Sequence, residues 1–441
     1  MRRRHLITRE LRVWSIMILK NAPRRLIGLI HNQTPGFKLL LWRRTLHSLA
    51  SSLSLQYNSI YATLLGADPV QLGSLQSVGN AVGALATLPA GWFIDYYSLK
   101  KVFLLGVGLL TASKILYFVA PHWVWLYAAI ILFYLGSRVI CTSCTVTCAR
   151  ELSNEGRATG RGLCRTLSSL VGVFAPLLAA WIVSLSGGIA LTGIRPLYAI
   201  QAVLFAGMFV LLMAGLPASK PLGKLRTMTQ SVASHKRPGL SSFAQVFRQG
   251  PDVVRLLFVM GLMELPWTIT QPFMPLYAHE FKGANEFLLS SITTASTLVP
   301  LLMALPLGRL ADRYGRKKLL FALAPLTYIA NLCLIFAPIS GLGKTLFLLL
   351  YGVLFGFNSI TMILASSMTA EIMPQEQMGR WIGIVSLFRG VLAIPMPLLG
   401  GLIWEHVGPQ HVFLAAIVLD AGLRLPLLAR VGETLHLESM D

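Results

Sequence analysis

Leu305-Pro306-Leu307-Gly308-Arg309-Leu310-Ala311-Asp312-Arg313-Tyr314-Gly315-Arg316-Lys317-Lys318 lies between two long apolar runs, and much of it occurs twice in the chain. Leu88-Pro89-Ala90-Gly91-Trp92-Phe93-Ile94-Asp95 stands 217 residues earlier, with leucine, proline, glycine and aspartate in the same places, and Lys100-Lys101 returns as Lys317-Lys318 at that offset. Further pairs keep nearly the same spacing. Tyr61 returns as Tyr277 (216), Gly156-Arg157-x-x-Gly160 as Gly379-Arg380-x-x-Gly383 (223), and Pro176 as Pro397 (221). Matches so close to one offset mean that the second half of the chain repeats the first.

What is repeated is a membrane unit. Of 441 residues 55% are hydrophobic and only 12% charged, with a mean hydropathy of +0.66; a soluble domain carries about 25% charged residues. Twelve stretches are long and apolar enough to cross a hydrocarbon core, which takes about 20 helical residues: 42–66, 72–94, 102–120, 124–147, 163–186, 195–216, 252–278, 286–308, 319–338, 345–368, 380–404 and 408–430. We number them spans 1 to 12. The organisation read from them is a basic N-terminal segment (1–41), a six-helix half (42–216), a basic linker without an acid (217–251), a second six-helix half (252–430) and a tail (431–441). The fold expected is an all-α polytopic membrane protein of two parallel-related six-helix halves.

The formal charge of +21 fits a membrane surface rather than a nucleic acid. Segments on the N-terminal side of the spans hold 29 Lys and Arg; the opposite loops hold three, Arg195, Lys282 and Lys344. That bias puts both termini in the cytoplasm of a cell with an inner or plasma membrane. Residues 11–30 mix basic and apolar side chains and read either as an interfacial helix or as a basic tail. The short apolar run 13–19 has no small-residue cleavage site after it, against a cleaved signal peptide. The five cysteines fall in or beside apolar segments, against a disulfide framework. Asn32-Gln33-Thr34 matches a glycosylation acceptor on the wrong side of the membrane to be used.

Gly308 to Lys318 closely resembles the loop signature between spans 8 and 9 of the major facilitator superfamily, and Gly91 to Lys101 looks like its counterpart between spans 2 and 3, with Tyr97-Ser98-Leu99 in place of the usual glycine and arginine. The resemblance covers about residues 37–430. It implies a transporter whose halves rock about a central cavity lined by spans 1, 4, 7 and 10. It also implies a cytoplasmic gate made of Gly91, Asp95, Gly308, Asp312, Arg313, Gly315 and Arg316. In that gate Asp95 meets the start of span 11 at Gly379 and Arg380, and Asp312 the start of span 5 at Gly156 and Arg157. A helix start favours a carboxylate because its N–H groups are unpaired. The alternative role for these loops is topogenic, with Asp95 and Asp312 as solvated turn residues.

Charged side chains within spans cost about 2.5–3.5 kcal/mol on insertion scales unless paired or hydrated. Candidates away from the span ends are Lys114, Arg138, Glu264, Arg389, Asp420 and Arg424. Asp420 and Arg424, four apart, should satisfy each other. Arg389 is read as snorkelling or joining the gate, and Lys114 as either. Arg138 and Glu264 fall on cavity-lining spans. Arg138 resembles the span-4 arginine of proton-coupled members, without the glycine that usually follows it; a structural ion pair with Glu264 is the competing reading. Gln56, Tyr57, Asn58 and Tyr61 in span 1, Glu264, Trp267 and Gln271 on one face of span 7, and Asn358 in span 10 complete the expected cavity. The alternative for them is helix–helix hydrogen bonding.

Aromatics with few polar groups suit an amphipathic organic molecule better than a sugar. Gly172-Val-Phe-Ala175-Pro176-Leu-Leu-Ala179-Ala180 resembles an antiporter signature with three glycines replaced by alanine, and leans the reading to export; packing alone also explains it. Cys141, Cys144 and Cys148 share a face but lack a histidine, so no metal is expected, nor any cofactor. The expected function is proton-coupled secondary transport, as a monomer, of a small amphipathic molecule. Metabolite uptake is the alternative, and a non-transporting receptor or lipid-handling protein is the alternative of another class. No phosphate-binding G-x-x-x-x-G-K-[ST] loop or catalytic constellation supports a pump or an enzyme.

Overall fold

A computed structural model describes residues 35–87, 93, 96–151, 157–215, 251–372 and 375–433, without side-chain detail at 35, 145–163, 251–252, 370 and 372–380. Residues 1–34, Gly91, Asp95, Gly156 and the greater part of the linker lie outside this set.

Every described element is helical. The first half holds α1 (Pro35–Leu53), α2 (Asn58–Leu64), α3 (Pro69–Leu85), α4 (Leu99–Val119), α5 (Trp125–Glu151), α6 (Arg157–Leu185) and α7 (Leu191–Gly215). The second holds α8 (Pro251–Leu262), α9 (Leu265–Thr270), α10 (Met274–Glu280), α11 (Glu286–Tyr314), α12 (Arg316–Phe336), α13 (Gly341–Gly356), α14 (Asn358–Ile372), α15 (Gln375–Ala393), α16 (Met396–His406), α17 (Pro409–Leu419), a π-helical turn (Asp420–Arg424) and α18 (Leu425–Ala429). Ten stretches among the described residues are long and apolar enough to cross a membrane, and they fall on expected spans 3 to 12. Span 1 is divided between α1 and α2, and α1 starts at Pro35 rather than 42; α3 is the described part of span 2.

Local chemistry sets the boundaries. Asp68 caps α3: its Oδ1 accepts from the Gln71 amide (2.6 Å), while Gln71 Oε1 accepts from the Asp68 amide (3.0 Å), and Pro69 begins the helix. Asn285 caps α11 through the Leu288 amide (2.9 Å). Gly315, at φ +101°, separates α11 from α12 in a conformation that other residues rarely adopt.

The repeated lysines do the same work in both halves. Lys100 Nζ donates to the Met213 carbonyl at the end of α7 (2.6 Å), and Lys317 Nζ to the Ala429 carbonyl at the end of α18 (2.8 Å). Each ties the start of its half's third span to the end of its sixth, where a cation complements the helix dipole. Glu433 adds a cap on that face, accepting from the Arg316 and Lys317 amides (3.2 and 3.3 Å). At the opposite face the three basic residues also bind carbonyls. Arg195 donates to Ala120 (2.9 Å), Lys282 to Ile335 and Ala337 (2.7 and 2.8 Å), and Lys344 to Gly283 (3.0 Å). Burial draws the Lys282 ammonium below its ordinary pKa.

The halves meet where α3 lies against α15 and α16, and α6 against α11. Glycines allow the first approach. A Cβ on Gly73 would sit 2.3 Å from the Pro397 carbonyl oxygen, one on Gly401 2.5 Å from that of Pro69, and one on Gly390 2.9 Å from Ala84. These contacts run from the face opposite the signature loop to mid-span. Towards the signature face, a Cβ on Gly308 or Gly383 would meet no described atom, and Leu85 and Leu305 are exposed.

Candidate functional site

Span 7 is broken twice, between α8 and α9 at Met263–Glu264 and between α9 and α10 at Gln271–Phe273. Pro266, Pro272 and Pro275 supply no amide hydrogen, so the ladder cannot run through. Irregular backbone at membrane depth is tolerated where it lines a cavity. Here two of the expected site residues, Glu264 and Gln271, occupy the breaks.

They face a cavity of about 400 Å³ between the halves, lined by α3 and α5 from the first half and by span 7 and α15 from the second. Its charged groups are Arg138, Glu264 and Arg389. Arg389 grips the Glu264 carboxylate, with Nε donating to Oε2 at 3.0 Å and Nη2 to the same oxygen. The carboxylate's partner is therefore Arg389 of span 11 and not Arg138. Arg389 neither snorkels nor joins the gate, because its guanidinium is held by the Glu264 carboxylate in the cavity. Arg138 lines the same cavity, and no described carboxylate pairs with it. Gln76 Nε2 donates to Tyr134 Oη (2.6 Å), and Asn80 Nδ2 to the Ala393 carbonyl of the other half (3.0 Å). That carbonyl would be bonded by residue 397 in a continuous helix, but Pro397 has no N–H to give.

A second chamber of about 220 Å³ adjoins the first, since Trp267 and Gln271 line both. Gln56, Tyr351, Phe355 and Met274 also border it, and Trp267 packs against Phe355 with ring centroids 5.4 Å apart. One chamber is charged, the other aromatic, and a tryptophan and an amide are shared.

Four expected lining residues lie elsewhere. The break at 54–57 carries Tyr57, Asn58 and Tyr61 beyond mid-membrane, toward the face opposite the signature loop. Tyr57 is buried, with its hydroxyl 3.4 Å from Ser290 Oγ in the other half. Asn58 Oδ1 accepts from Tyr198 (3.0 Å), and Tyr61 donates to the Tyr117 carbonyl (2.7 Å). These are helix–helix contacts, the alternative weighed above. Asn358 opens α14 beside the Asp420–Arg424 pair, within the second half. In that pair Arg424 Nη2 donates to Asp420 Oδ2 (2.6 Å), as the i, i+4 spacing predicts. Lys114 is buried among Tyr117, Phe133 and Tyr198, its Nζ 4.8 to 5.5 Å from the ring centroids, and neither snorkels nor gates.

Gln76, Asn80, Tyr134, Ser386 and Arg389 belong to the site without appearing in the sequence-derived set. The family resemblance implies a lining from spans 1, 4, 7 and 10 and does not extend to spans 2 and 11. The amides of Gln76 and Asn80, four apart in an apolar helix, were the available signal.

Of the gate residues, Asp312 is largely exposed and among the described residues reaches Arg316 (3.5 Å), which also pairs with Glu371 (2.9 Å). Arg313 lies over Tyr314 (5.5 Å), and Gly315 meets Glu433. Asp312 thus makes its described contact within its own half, while its expected partners at the start of span 5, Gly156 and the Arg157 side chain, lie outside the described residues. Gly91 and Asp95 lie outside the described residues, and Arg157 and Arg380 are helical without side-chain detail. Cys144 Sγ accepts from Arg43 Nη2 (3.2 Å), and the Cys148 side chain is not described.

The family model for the Major Facilitator Superfamily matches residues 45–282 and 256–423. The class H tetracycline resistance protein of Pasteurella multocida is 27% identical over 183 residues, 40% of this chain and 44% of that protein, so the match spans less than half of the relative. The nucleoside transporter NupG superposes with a TM-score of 0.72 at 17% identity, covering 90% of this chain and 99% of NupG. A POT family transporter in complex with 5-aminolevulinic acid gives 0.67 at 14%, covering 90% and 95%.

Proposed function

Because the chain belongs to the major facilitator superfamily, we propose that it is a proton-coupled antiporter that exports a small amphipathic organic molecule by alternating access. The observation that carries the reading is the Glu264–Arg389 pair, a carboxylate held by an arginine at a break in span 7 inside the cavity between the halves. The paired carboxylate ties span 7 to span 11. Protonation removes its charge and releases Arg389, so each proton taken up loosens the link between these two spans. Arg138 lines the same cavity and offers a second cation to the carboxylate when Arg389 lets go. A carboxylate that takes up and gives back its proton here couples the link between spans 7 and 11 to the face at which the cavity is open.

Trp267 and Phe355 offer flat apolar surface, and Gln56 and Gln271 offer amides to orient a ligand. This chemistry supports an amphipathic substrate. The relative named for tetracycline resistance supports export; uptake of a metabolite is the second reading. The charge bias supports cytoplasmic termini and signature loops in an inner or plasma membrane. The exposed Asp312 and the open surroundings of Gly308 then belong to a conformation closed at the outer face. A monomer suffices, since both halves of the cavity lie in one chain.

Flux in proteoliposomes with an imposed proton gradient tests this, using a panel of amphipathic compounds that begins with tetracycline. Glu264→Gln should abolish gradient-driven accumulation while exchange survives and becomes insensitive to pH. Accumulation with an unchanged pH profile would remove Glu264 as the proton carrier. The direction of gradient-driven flux separates export from uptake, and wild type without flux of any panel member points to the non-transporting alternative.

A further inference from the structure

The largest of the described cavities plays no part in the scheme above. It is a recess of about 660 Å³ within the first half, between α1, α5 and α6. Arg44, Ser48 and Ser51 recur at helical spacing on α1, Ser137 and Cys141 on α5, and Arg165 and Ser168 on α6. Among the described residues no carboxylate lines it. Among the described side chains of residues 35–215 the one carboxylate is Asp68, which caps α3 at the far face.

The positive-inside rule explains basic residues in loops; it does not explain arginines facing a recess within the helices. Arg43 is built into the wall, donating to Cys144 Sγ (3.2 Å) and lying over Phe103 (5.2 Å). Arg44 Nε reaches Ser168 Oγ (3.4 Å) and has no described ion-pair partner, and Arg165 is exposed to the recess. Its wall also holds buried polar atoms that are unsatisfied. His47 Nδ1 and Ser51 Oγ are both enclosed there without a described hydrogen-bond partner. Guanidinium groups pair with planar or tetrahedral oxyanions through two parallel N–H donors, and serine hydroxyls supply single donors around them. Two arginines, a histidine and a set of serines without an acid make a receptor for one anionic group.

The recess and the transport site are lined by neighbouring stretches of the same helices. Ser52 on its wall precedes Leu55 and Gln56 of the aromatic chamber along span 1, and Ser137 precedes Arg138 of the charged chamber along span 4 (α5). We infer that the recess binds a carboxylate or phosphate group, carried either by the transported molecule, whose class is then the amphipathic organic anions, or by a phospholipid head. The first source rests on the transport reading.

Binding to the purified full chain tests the inference apart from flux. In phosphatidylcholine nanodiscs the probes are inorganic phosphate, phenylbutyrate and its neutral amide, titrated calorimetrically. Phenylbutyrate should bind at least about tenfold more tightly than the amide, the size expected of a charge-assisted hydrogen bond. Arg44→Gln/Arg165→Gln should remove that preference, and Arg165→Gln alone, at an exposed side chain, should weaken it with the fold intact. Phosphate should compete. If phosphatidylglycerol added to the nanodiscs occupies the site instead, raising the melting temperature of wild type but not of the double variant, the anionic group is a lipid head. Equal affinity for carboxylate and amide, with no stabilisation by phosphatidylglycerol, overturns the inference. Anion binding without flux in the wild type would defeat the transport reading alone, and flux without anion binding the recess alone.

Discussion

Asp312 sits near the end of α11 with its carboxylate about two-thirds exposed and Arg316, one turn on, as its described partner at 3.5 Å. An exposed i, i+4 pair contributes about 0.3–0.5 kcal/mol, so Asp312→Asn should leave the melting temperature within a degree or two of wild type. If the family's gate operates here, the same change should still reduce flux severalfold, because the lost contact across the halves forms only when the signature face closes. Unchanged flux would leave Asp312 a turn residue. Glu264 shows the converse: its partner comes from 125 positions along the chain, and no pattern within span 7 indicates it. Lys114 likewise has aromatic rings where a carboxylate could have been expected.

At the scale of elements, the contact of α3 with α15 and α16 depends on side chains that are absent. Gly401→Ala would put a methyl group 2.5 Å from the Pro69 carbonyl oxygen, a backbone atom that cannot turn aside. Overpacking of this kind costs about 1–3 kcal/mol. The variant should therefore melt lower, and a cysteine placed at Gln71 should react faster with an impermeant thiol reagent as the outer face opens. Gly207→Ala is the control, since a Cβ there meets nothing within 4 Å and alanine favours the helix. If both variants behave alike, the glycine contact does not hold the halves together.

For the whole molecule, the 29-to-3 distribution of Lys and Arg predicts which face is cytoplasmic. Cysteines placed in the 217–251 linker should resist impermeant reagents in intact cells, whereas cysteines at Lys344 should react; labelling of the linker from outside would invert the topology. The lysine caps give the duplication a structural purpose. Lys100 and Lys317 close their halves alike, third span to sixth, so each half can move as a body while the cavity between them changes shape.

Spans, repeat and family were legible in the residues because each depends on information local to the chain. Twenty apolar residues can bury their backbone polar groups only as a helix in lipid, and a duplication is visible wherever its most constrained positions, Gly308 and Asp312 with their earlier copies, survive. The Asp420–Arg424 pair was legible too, since four residues is one helical turn. Which polar residues share a cavity was not. Tyr57, Asn58 and Tyr61 pass for cavity residues by composition, yet the break at 54–57 turns them into contacts toward the far face. Gln76, Asn80 and Arg389 enter the site because α3 and α15 cross between the halves, and the crossing is set by glycines and a proline on different spans. Tertiary structure decided these placements, because a helix periodicity tells which residues share a face but not what that face will meet.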